Sequence, residues 1–61
     1  MAQITSKELS CLSDLLNAEQ LLVNKYKCFA EETQDAALKS KYEEIAAKHQ
    51  QHFDLLYTHL K

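Results

Sequence analysis

The chain contains no glycine, no proline and no tryptophan. All seven of its basic side chains are lysine, so arginine is absent too. Without proline or glycine, nothing inside the 61 residues breaks a helix, and no glycine-rich loop can cradle a phosphate. Without arginine there is no fork to read bases or clamp phosphates, and no lysine-rich run or basic face replaces it. A nucleic-acid partner is therefore not expected. The apolar runs are short, Leu21 to Val23 among them, and cannot span a bilayer. No membrane partner is expected either. Residues 1–8 are polar with no apolar centre, unlike a signal peptide. Synthesis and retention in the cytosol are expected unless a partner carries the protein elsewhere.

What remains is an evenly mixed chain: 46% hydrophobic and 26% charged, with a net charge of -2. Charges of both signs are scattered, low complexity is absent, and disorder is not expected. The apolar residues recur at helical spacing. Leu12, Leu15, Leu16, Leu22, Val23, Tyr26 and Ala30 make one arc, and Leu38, Tyr42, Ile45, Phe53, Leu56 and Leu60 make a second. No segment alternates with period two, and β-branched residues are few.

The helix ends are also legible. Thr5-Ser6-Lys7-Glu8 fits a capping box, with Ile4 and Leu9 at hydrophobic-staple positions. Glu31 to Asp35 is the only polar stretch long enough to turn the chain, and Asp35 suits the N-cap of a second helix. These signals predict an all-α chain forming a single helical-hairpin domain over 1–61. Helix 1 is expected at about 6–32, the turn at about 33–35 and helix 2 at about 36–59. A turn this short makes the helices antiparallel neighbours.

Two helices give a seam rather than a core, and domains of this size are marginal alone. Leu15, Leu22 and Phe29 form a row beside the seam, which calls for another helix against it. A homodimer is therefore expected, two hairpins making an antiparallel four-helix bundle. Tyr57, at the edge of its face, is a candidate interface residue.

Two polar residues interrupt the arcs. Glu19 lies mid-arc on helix 1 and His49 at the centre of the second arc. A fold at about residue 34 sets them opposite one another, as it does Tyr26 and Tyr42. A carboxylate on a buried face must be paired, protonated, coordinated or wetted. One reading is a polar lock that fixes helix register. The other is metal: two subunits would supply two Glu19 and two His49, enough to hold one zinc or iron ion. Di-iron bundles use Glu-x-x-His motifs, and here Ala46 stands three residues before His49, which removes the bridging carboxylate. His52 follows His49 by three and can share an ion, although a boundary residue touching water is the simpler account. His59 carries no claim.

Cys11 and Cys28 sit 17 positions apart on the first helix, ~25 Å along its axis, too far for an intrachain disulfide. Small buried thiols are the expected reading, an intermolecular bridge the alternative. No Cys-x-x-Cys or Cys/His cluster supports a zinc site. The serines lie at caps or polar faces, neither cysteine shares the arc of His49, and the chain lacks the length to enclose a substrate pocket. It is not expected to be an enzyme.

Asp14-Leu15-Leu16 followed by Ala18-Glu19, Tyr26, the Asp35-centred turn with Leu38, and His49-Gln50 before Phe53 and Leu56 resemble the Coat F family. These are small ferritin-like helical proteins of spore-forming Firmicutes, and the likeness runs from about Leu9 to Leu60. Asp35-Ala36 stands where family members often have Asp-Pro. The resemblance implies a ferritin-like fold, a non-enzymatic structural or assembly role, deposition in the spore coat after synthesis, and other coat proteins as partners. The alternatives are a ferritin-like metal-binding protein using Glu19 and His49 from two subunits, and an adaptor docking another helical protein.

Overall fold

Thr5 and Glu8 begin the first helix by satisfying each other. In the computed structural model, which describes residues 4–60, the Glu8 amide donates to Thr5 Oγ1 at 3.0 Å. The Thr5 amide donates to Glu8 Oε1 at 3.1 Å. Two of the donors that a helix start leaves unpaired are thereby covered. Helix α1 then runs unbroken over Ser6–Glu32, because every interior residue tolerates the helix. Helix α2 spans Ala36–Tyr57, and a 3₁₀ turn, η1, covers Thr58–Leu60. The last residues thus tighten into a 3₁₀ turn, where an α-helix to about 59 is expected from sequence. Thr58 Oγ1 donates to the Leu55 carbonyl at 2.6 Å and so takes an acceptor at the helix end.

The connection turns the chain without glycine. Thr33 (φ -74°, ψ 142°) and Asp35 (φ -89°, ψ 115°) are both extended, and no described residue has positive φ. Side chains replace the left-handed cap that glycine usually provides. Thr33 Oγ1 accepts from the Asp35 amide at 3.2 Å. Asp35 Oδ1 accepts from Ala37 at 2.9 Å and from Leu38 at 3.0 Å, capping α2 as its residue type predicts.

The product is an antiparallel helical hairpin, with α1 and α2 packed along their length. It is a rod measuring 47 × 16 × 10 Å, with a radius of gyration of 14.5 Å, against about 10–11 Å for a compact chain of this length. Leu16, Val23, Ala30 and Ala46 are the buried hydrophobics among the described residues. Three of the four come from α1 at intervals of seven, the repeat of a helix–helix seam. Ala46 lets α2 approach that row closely. The hairpin has no second layer over this seam.

The cysteines depart from expectation. Cys11 and Cys28 are both free and exposed, not buried. Cys11 lies five residues before Leu16 and Cys28 two before Ala30, so each is rotated roughly 140–160° from the seam, at 100° per residue. With only one helix to pack against, the far side of α1 meets solvent.

Candidate functional site

Midway along the hairpin, the seam row of α1 passes from Leu16 through Glu19 to Val23, and that of α2 from Ala46 through His49 to Phe53. Glu19 and His49 therefore meet across the seam. His49 Nδ1 lies 2.7 Å from Glu19 Oε1. A carboxylate oxygen only accepts, so Nδ1 is the ring nitrogen that donates. The side chains retain 18% and 24% of their exposure, so the pair is screened from bulk water but not sealed from it.

His52 joins them. One turn beyond His49 on α2, its Nδ1 stands 3.4 Å from the other carboxylate oxygen, Glu19 Oε2. Each oxygen of Glu19 thus faces one imidazole. Sequence reasoning gives His52 two readings, a share in an ion with His49 or a wet boundary, and its side chain is 57% exposed. It belongs to the cluster as well, because residues three apart on a helix share a face. The two imidazoles meet edge to face, 5.6 Å between centroids. One ligand atom from each of Glu19, His49 and His52 can be chosen so that all lie within 4.8 Å of one another.

Aromatic packing holds His49 from the turn side. Tyr26 lies nearly parallel to its ring, at 6.1 Å and 12°. Tyr26 also meets Tyr42 at 6.2 Å, the facing pair expected from sequence, and Phe29 edge-on at 5.8 Å. Phe29 closes the group against Tyr42 at 5.4 Å. Stacking restricts the imidazole more firmly than the seam alone would. Phe29, placed by periodicity in the outer row, is the member of this support that sequence reasoning did not assign to the site. Tyr57 remains half exposed and stacks on Phe53 at 6.1 Å.

The two broad faces of the hairpin differ. Helical position places Leu15, Leu22 and Phe29 of α1 and Leu38, Ile45 and His52 of α2 on the face that Glu19 borders. Leu15 is 52% exposed there and Leu38 45%. The opposite face is polar and carries a groove where Ala30, Ala46 and Ala47 leave space beneath Lys27, Lys39 and Glu43. That groove contains none of Glu19, His49 and His52. Among the described residues no helix is long and apolar enough to cross a membrane. Comparison of the chain with family models, with curated proteins and with solved structures finds no match to any of them.

Proposed function

We propose that this chain is a small non-enzymatic assembly protein whose hairpin pairs with a second copy through its apolar face, in a role related to that of Coat F proteins in the spore coat. The observation that carries this reading is the exposed surface. The chain exposes 4863 Å², whereas a compact monomer of 7.0 kDa exposes about 4,000 Å² by the usual size scaling. The excess of about 800 Å² matches one partner's share of a standard interface. A second copy is the occupant that fits, because two hairpins joined face to face complete a four-helix bundle with twofold symmetry. The face is apolar on both helices, bordered by Leu15, Leu22 and Phe29 on α1 and by Leu38 and Ile45 on α2.

Light scattering on a sizing column tests this. A two-chain particle is expected at micromolar concentration, and Leu22→Asp should shift it to one chain. A wild-type monomer at that concentration overturns the proposal. Deposition in a coat is tested separately, by fractionating spores of the source organism and locating the tagged chain.

A second reading, ferritin-like metal binding through Glu19 and His49 of two subunits, draws on the position of the pair. It lies near the midpoint of both helices, so a central twofold axis would bring two pairs together. Ala46, buried at the seam, provides no bridging carboxylate, which argues against di-iron chemistry.

A further inference from the structure

We infer that Glu19, His49 and His52 of one hairpin form a complete three-ligand site for a single divalent ion of the zinc class. The inference rests on the metal-binding reading above and changes its content: His52 becomes a ligand, and one chain suffices. Three features of the cluster carry it. First, the donor atoms converge. Glu19 Oε1 and Oε2 face His49 Nδ1 at 2.7 Å and His52 Nδ1 at 3.4 Å. Ligand atoms around a tetrahedral ion with bonds of ~2.0–2.1 Å lie about 3.3 Å apart. His52 stands near that spacing from Glu19 Oε2, while the three ligand atoms together span up to 4.8 Å and must draw inward around an ion. His49 opens by less than an ångström to reach that spacing.

Second, the cluster has one fixed arm and one adjustable arm. His49 is stacked on Tyr26 at 6.1 Å and hydrogen-bonded to the half-buried Glu19, so both are held before an ion arrives. His52 is exposed and can turn its ring to close the remaining distance. Third, the donors are chemically selective. Two imidazole nitrogens and one carboxylate oxygen suit zinc and its neighbours, whereas magnesium and calcium take oxygen ligands. Three protein ligands would leave a fourth position to water, as in zinc sites that keep an open position. The ion takes the place of the Nδ1 proton that His49 now donates to Glu19, and that proton passes to the buffer.

Calorimetric titration of zinc into tag-free, chelator-stripped protein tests the site. One ion per chain is expected, saturating at micromolar protein. His52→Ala should weaken binding at least about tenfold, a loss no smaller than that for an outer partner of a metal ligand. Circular dichroism of the variant should match that of the wild type, since His52 is exposed and outside the seam. His59→Ala should leave binding unchanged. Wild-type affinity in His52→Ala overturns the inference. One ion per two chains, insensitive to His52→Ala, also overturns it and leaves the two-subunit site standing. No zinc uptake removes both metal readings. The dimer is tested separately, by its mass in metal-free buffer.

Discussion

His49 Nδ1 and Glu19 Oε1 stand 2.7 Å apart across thirty residues of chain, and they do so in a seam otherwise lined by Leu16, Val23, Ala30 and Ala46. Slipping α2 along α1 by one turn would carry His49 away from Glu19 and set the carboxylate against apolar neighbours. The pair therefore selects one register from several that the alanine- and leucine-lined seam could accept. Whether a proton or an ion joins the two groups, the register is the same.

That role makes the single and double replacements differ. His49→Leu alone leaves Glu19 without its closest partner and should lower stability by about 1–3 kcal/mol. Replacing both, Glu19→Leu with His49→Leu, removes the demand and should hold or raise the melting temperature. Thermal unfolding in metal-free buffer reads both. A double variant less stable than the single one would contradict a polar lock.

Glu8 makes the start of α1 sensitive to acid. The hydrogen bond it accepts from the Thr5 backbone, and then its side-chain bond with Thr5, hold its carboxyl below the ordinary value of 4.5. A group with a depressed folded pKa contributes its stability above the unfolded value and loses it as pH falls through the folded one. The first turn should thus be intact at neutral pH and fray below about pH 4.5. Amide exchange at Thr5 and Glu8 reports this locally, and the acid dependence should vanish in Glu8→Gln. An unchanged dependence in that variant would assign the fraying to other carboxylates.

The exposed thiols should behave as two independent surface groups. Both Cys11 and Cys28, free and exposed in the hairpin, should react with a thiol reagent without prior unfolding of the chain. Under mild oxidation any disulfide should join separate chains, because ~25 Å of helix separates the two within one chain. Non-reducing electrophoresis distinguishes the cases. A fast-migrating oxidised monomer would show that α1 itself unfolds between the two cysteines, since both belong to that helix.

Much of this architecture is legible in the residue order. Thr5 and Glu8 mark the start of α1, and Asp35 marks the start of α2, because capping depends on residues two or three positions apart. The facing pairs Glu19–His49 and Tyr26–Tyr42 follow from a turn centred near residue 34 and from rigid helices, which carry register over a distance. The cysteines and His52 were less legible. A small apolar thiol is usually buried, yet burial needs a neighbour, and one hairpin offers the far side of α1 none. Likewise, three-residue spacing puts His52 beside His49 but does not say that a carboxylate from the other helix will reach it.

The sequence by itself determined two helices, their caps, their turn and the layer in which a carboxylate meets an imidazole, since each depends on local spacing and helical period. Only the tertiary structure decided that Glu19 bonds one ring and lies 3.4 Å from a second, that Tyr26 stacks on the deeper one, and that leucines and phenylalanine border the cluster on an exposed face. Those facts depend on how far apart the helix axes lie and which way each is rotated. Ala46 and Val23 set that separation by their volume, a sum over packed side chains that no short stretch of the chain contains.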